Sequence, residues 1–115
     1  MHELSIATEL VEQAQRVLRE QKADRVVSIA LALGLLSGID REALEFAFPL
    51  AAADTPVAGA TLSIEAVPAR LFCPSCRREL STDVPALICP ACGNGQVELR
   101  GGRELLIKSM EVEGR

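Results

Sequence analysis

The feature that most constrains this chain is a pair of C-x-x-C turns, "CPSC" at residues 73–76 and "CPAC" at residues 89–92, separated by twelve residues. Two residues between thiolates let one tight turn aim both sulfurs at a single point. Two such turns complete a tetrahedron of soft donors, the arrangement zinc takes in structural sites. Pro74 and Pro90 stiffen the turns, and Gly93 after the last cysteine eases a tight backbone there. The spacing predicts structural Zn(II) on Cys73, Cys76, Cys89 and Cys92, with no open position for a reacting ligand. The minority alternative is a redox protein that cycles these thiols. A cysteine segment this short has little core of its own, so it is expected to lose its fold without metal.

The rest of the chain must supply the core. Hydrophobic residues make up 49% of the 115, which argues for a folded protein. Only three residues are aromatic, all Phe, so the core is built from Leu, Ile, Val and Ala. Residues 4–22 read as an amphipathic helix, with Leu4, Ala7, Leu10, Val11, Ala14, Val17 and Leu18 at helical spacing. Residues 25–36 read as a strand in which Val27, Ile29, Leu31 and Leu33 face the helices, while Ser28, Ala30 and Ala32 suit a lightly covered face. Asp40 is a good N-cap for a second helix over 41–53, which Pro49 is expected to kink or end early. Residues 60–67 alternate as a second strand, and Pro68 marks its exit. Residues 103–113 read as the last, with Leu105 and Ile107 on one face and Leu106, Met110 and Val112 on the other.

This order predicts an α+β fold, two helices packed on a small three-stranded sheet, with a four-cysteine zinc ribbon inserted between two strands. The expected domains are 1–69 with 103–115, and 70–102.

The formal charge of −4 and pI of about 5.0 weigh against nucleic acid, whose phosphates need a cationic surface. Arg77, Arg78 and Arg100 lie in the cysteine segment without the aromatics that stack bases, so a protein-facing role suits it better. The opening residues lack the basic run and apolar stretch of a secretory signal. The longest apolar run, residues 26–36, falls short of the roughly 18 residues of a membrane helix. A cytoplasmic protein with no membrane association is expected, and there cysteines serve as metal ligands more often than in disulfides. One histidine, four committed cysteines and no nucleophile elbow offer no catalytic triad, so no enzyme is expected.

That single histidine is His2, in the opening "MHE". A free Met1 amino group, the His2 backbone nitrogen and the His2 imidazole can close two fused chelate rings, a donor set that suits square-planar Ni(II) or Cu(II). A fourth donor is the Glu3 amide or carboxylate, or water. Histidine at position two also disfavours removal of the initiator Met. From this position alone, a terminal histidine without a role is the stronger reading, and Glu3 and Glu9 equally suit the start of a helix dipole.

Taken together, "MHELSI" at the start, "GLLSGIDREALEFAF" after the first strand, the two C-x-x-C turns and the final "LLIKSMEVE" resemble the HypA family. The resemblance runs the length of the chain, and its most specific element is "MHE" combined with the four-cysteine pattern. It implies a nickel metallochaperone of NiFe hydrogenase maturation, with Ni(II) as transient cargo on Met1, His2 and Glu3 and structural Zn(II) on the four cysteines. It implies a nickel-binding α/β domain of two helices and three strands, interrupted by the zinc domain. The implied partners are a HypB-like GTPase, the hydrogenase large subunit and, in some bacteria, urease maturation. A monomer and a dimer that swaps the zinc segment both fit. Two departures stand out. There is no second histidine, and Arg77 follows the first C-x-x-C turn where glycine is the more natural residue. A zinc-ribbon adaptor with no nickel role is the alternative.

Overall fold

Apolar residues at helical spacing on one face bring the first nineteen-residue helix, α1 (Glu3–Gln21), down onto a core through Ile6, Ala7, Leu10, Val11, Ala14 and Leu18. The computed structural model describes residues 3–114. The stripe differs from the expected one at its start: Leu4 is exposed, and Ile6 takes the buried place. The helix stops with Lys22 in the left-handed region (φ 56°), while the Ala23 N–H donates to the Leu18 carbonyl at 3.1 Å. This is the Schellman arrangement that satisfies a helix's last carbonyls.

Strand β1 (Arg25–Gly34) follows, then helix α2 (Arg41–Ala52) and strand β2 (Thr61–Val67). Asp40 caps α2 as its residue type predicts, its side chain accepting from the Ala43 N–H at 3.2 Å. The expected early end at Pro49 does not occur, because the helix runs on to Ala52. Pro49 is exposed, so the carbonyl it deprives of a partner is on the solvent side. Phe48 and Ala52, both buried, hold the last turn to the core.

Two sheets complete the fold. The first has strand order β2-β1-β6, with β6 spanning Leu105–Glu113. The second, not foreseen as a sheet from the sequence, is β4-β3-β5, from β3 (Ala69–Cys73), β4 (Arg78–Thr82) and β5 (Glu98–Gly101). By contacts the chain divides into two compact units. One takes the residues up to Leu31, Ile39–Glu65 and those from Leu106 onward; the other takes Ala32–Gly38 and Ala66–Leu105.

The helix-bearing unit has the larger core. Val11, Ala14 and Leu18 of α1, Val26 and Ile29 of β1, Phe48 and Ala52 of α2, and Val57 form one buried cluster. Simple alternation fails here twice. Val26, not Val27, is fully buried, and Met110 packs on the same core as Ile107. In both strands the residues reaching the core are three apart, a departure from the two-residue pleat. Leu106 and Val112, expected to share a face with Met110, are exposed. Lys108 of β6 bridges to Glu65 of β2, on the two strands that flank β1.

The cysteine-bearing unit is thin by comparison. Its buried residues include Leu33, Ala69, Leu71, Thr82 and two of the four cysteines. Gly34 is needed for close approach, since a Cβ there would overlap the Gly102 carbonyl, which accepts from the Leu36 N–H at 2.6 Å.

Candidate metal centre

Strands β3 and β4 pair antiparallel with Cys73 opposite Arg78, so the first C-x-x-C turn is the hairpin between them. Inside it the Cys76 N–H donates to the Cys73 sulfur at 3.4 Å, and the Arg77 N–H donates to the Cys73 carbonyl at 2.7 Å. The second turn shares the carbonyl bond but takes its sulfur donor one position earlier. The Ala91 N–H donates to the Cys89 sulfur at 3.4 Å, and the Gly93 N–H donates to the Cys89 carbonyl at 2.9 Å. The residue after each second cysteine lies in the left-handed region, Arg77 at φ 55° and Gly93 at φ 80°. Asn94 ties the turns together: its side-chain amide donates to Ser75 Oγ at 3.0 Å, and its carbonyl accepts from the Cys89 N–H at 2.9 Å.

These turns bring all four sulfurs within 4.8 Å of one another. The Cys73 and Cys92 sulfurs are 3.6 Å apart, and those of Cys76 and Cys89 are 3.9 Å apart. A tetrahedral zinc with bonds of about 2.3 Å requires sulfur–sulfur edges of about 3.8 Å. The measured pairs bracket that value, and all four thiols are free of disulfides. Cys73 and Cys89 are buried, Cys76 is half-buried and Cys92 is exposed. Among the described residues this is the one cluster of His, Cys, Asp or Glu side chains with such convergence.

The thiols differ in their hold on a proton. The backbone N–H of Cys92, and then that of Ala91, favours the Cys89 thiolate and brings its pKa down to about 6. Cys76 is pushed up to about 12, first by its hydrogen bond with the Cys92 side chain and then by burial. At Cys92 the Asn94 backbone favours the thiolate, but hydrogen bonds with Cys73 and Cys89 and burial raise the pKa on balance. The cluster thus offers one ready thiolate and shared protons on its neighbours. A divalent cation displaces those protons as it binds.

Of the other expected site residues, Met1 and His2 lie outside the described residues. Glu3 is described. It begins α1, and its carboxylate accepts from the Asp40 backbone N–H at 3.1 Å. The acidic residue of "MHE" is therefore fastened to the N-cap of α2. The sequence reading marked Asp40 as a cap but not as the neighbour of Glu3, because a contact across 37 positions has no local signal.

The fold and cluster match known proteins. The family model for hydrogenase/urease nickel incorporation metallochaperones, HypA, matches residues 1–112. The chain belongs to the HypA family. Similar HypA relatives include hydrogenase maturation factors of Synechococcus elongatus, 47% identical over 113 residues (97% of this chain, 99% of the relative), and Chloroflexus aurantiacus, 42% identical over the same length and shares. A solution structure of the nickel metallochaperone HypA from Helicobacter pylori has the same fold, with a TM-score of 0.72, 20% identity and full coverage of both chains. HypA membership carries a nickel metallochaperone role in hydrogenase maturation, and with it interaction with hydrogenase maturation partners. Among the described residues no helix is long and apolar enough to cross a membrane.

Proposed function

We propose that this chain carries Ni(II) on its opening residues and keeps Zn(II) on its four cysteines, and that the two metals have different fates. The observation that carries the nickel half is the HypA match beginning at residue 1, over a "Met-His-Glu" start that holds the chain's single histidine. The Met1 amine, the His2 backbone nitrogen and the His2 imidazole supply the chelate. Glu3 completes the segment, with its carboxylate fixed on the Asp40 N–H and its amide left as a donor. Nickel on a few nitrogen donors at a chain end is exchangeable, as cargo must be.

Zinc on Cys73, Cys76, Cys89 and Cys92 has the opposite character, since four thiolates fill its coordination and leave no position for exchange. Its contribution is to fold residues 70–102 as a zinc domain, while residues 1–69 and 103–115 form the nickel-binding domain. Nickel passes in the cytoplasm, with a HypB-like GTPase as working partner and the large subunit of a NiFe hydrogenase as client. Urease maturation factors are a second destination of the same chemistry.

His2→Ala tests the site. The variant should keep its fold and one zinc per chain and lose tight nickel binding in a calorimetric titration. Equal nickel affinity in variant and parent would refute the assignment.

A further inference from the structure

The two C-x-x-C turns provide a control built into the molecule. In each, the residue after the second cysteine is left-handed and donates its N–H to the first cysteine's carbonyl, yet one turn uses Gly93 and the other Arg77. That conformation suits glycine and disfavours any residue with a Cβ. Arginine is therefore held in the first turn against the preference of its backbone, as Lys22 is at the end of α1.

The Arg77 side chain is exposed, and so is that of Arg78 beside it. Neither guanidinium has an ion-pair or hydrogen-bond partner among the described residues. Arg70 and Arg100 of the same unit behave differently. Arg70 reaches Glu79 and the Arg100 carbonyl, while Arg100 is held by Glu98 and lies 4.8 Å from the centre of the Phe72 ring. Two adjacent unpaired cations, one held in a disfavoured backbone conformation, stand on a chain whose net charge is −4. Guanidinium groups grip carboxylates with a planar fork that ammonium groups lack.

We propose that the first cysteine turn is a docking point for an acidic protein segment, with Arg77 as the forked anchor and Arg78 as its flank. The segment is a short run of Asp or Glu in a partner chain. The turn presents Arg77 outward from a hydrogen-bonded hairpin, so the backbone needs little further ordering on binding. A bland alternative is that Arg77 only offsets the negative charge of the cysteine cluster beneath it.

The test uses zinc-loaded full-length protein and a fluorescent octaglutamate peptide as probe, read by anisotropy at low and moderate salt. The parent should bind in a salt-sensitive way. Arg77→Gly should weaken binding by about fivefold or more, with zinc still at one per chain. Arg77→Lys should recover only part of the loss, because the fork is gone. A swap, Arg77→Gly with Gly93→Arg, should not restore the parent's affinity. The proposal is overturned if the parent ignores the peptide or if Arg77→Gly binds it equally well. It is also overturned if Arg77→Gly sheds zinc, or if an oligothymidylate of equal charge binds as tightly as the peptide.

Discussion

The two units are held together by different physics. The helix-bearing unit buries Leu10, Leu18, Val26, Ile29, Leu44, Phe48 and Val57, large side chains from α1, α2, β1 and the loop after α2. The cysteine-bearing unit buries chiefly Leu33, Leu71, small Ala69 and the thiols of Cys73 and Cys89. The first has enough apolar surface to fold by burial. The second has less, so it is the unit expected to depend on a metal. In the proposed scheme, the exchangeable metal goes with the unit that has the larger core and the fixed metal with the unit that has the smaller one.

The largest expected effect follows from this difference. Removing zinc takes away a coupling of the order of 10 kcal/mol, and replacing Cys73 with Ser takes away part of it. Amide exchange should show the amides of β3, β4 and β5 losing protection, while those of α1 and α2 keep theirs. Acid should act in the same direction, since protons compete with zinc for the thiolates and zinc is released as pH falls. Of Cys76, Cys89 and Cys92 without metal, Cys89, with its pKa lowered to about 6, is the last expected to take up a proton. If α1 and α2 lost protection as zinc left, the contrast between the units would fail.

A core truncation probes the other side. Leu44 is fully buried in α2. Leu44→Ala should lower stability by about 2–5 kcal/mol in urea unfolding while zinc stays at one per chain. A smaller change sharpens the comparison near the chain end. Asp40→Ala removes the cap on Ala43 and should cost about 1 kcal/mol. It leaves the Asp40 backbone N–H that holds Glu3, so nickel affinity should be unchanged. A fall in nickel affinity would mean that the carboxylate at position 40, not the amide, supports the chain end.

Much of this was legible in the sequence, for specific reasons. The cysteine cluster was legible because its geometry is local: two residues between sulfurs fix each turn, and the two turns have few ways to meet. Helix α1 and the Asp40 cap were legible for the same reason. The HypA resemblance named the family before any coordinates. What escaped reading was non-local. Val26 replaced Val27 on the core, and Met110 joined Ile107, a three-residue spacing that a two-residue alternation does not foretell. Helix α2 continued past Pro49 because tertiary burial of Phe48 and Ala52 outweighed a local helix breaker. The contact of Glu3 with the Asp40 N–H joins positions that no periodicity connects. Arg77 was visible as an oddity, but its left-handed backbone was not.

The central claim is that nickel and zinc occupy separate sites with separate determinants, one at the chain end and one in the cysteine cluster. The most direct measurement titrates nickel into untagged protein beside a copy carrying one extra N-terminal residue, with zinc counted in both. The account predicts that the extra residue abolishes one equivalent of tight nickel and leaves zinc at one per chain. Equal nickel binding by the two proteins, or loss of zinc from the extended one, would contradict it.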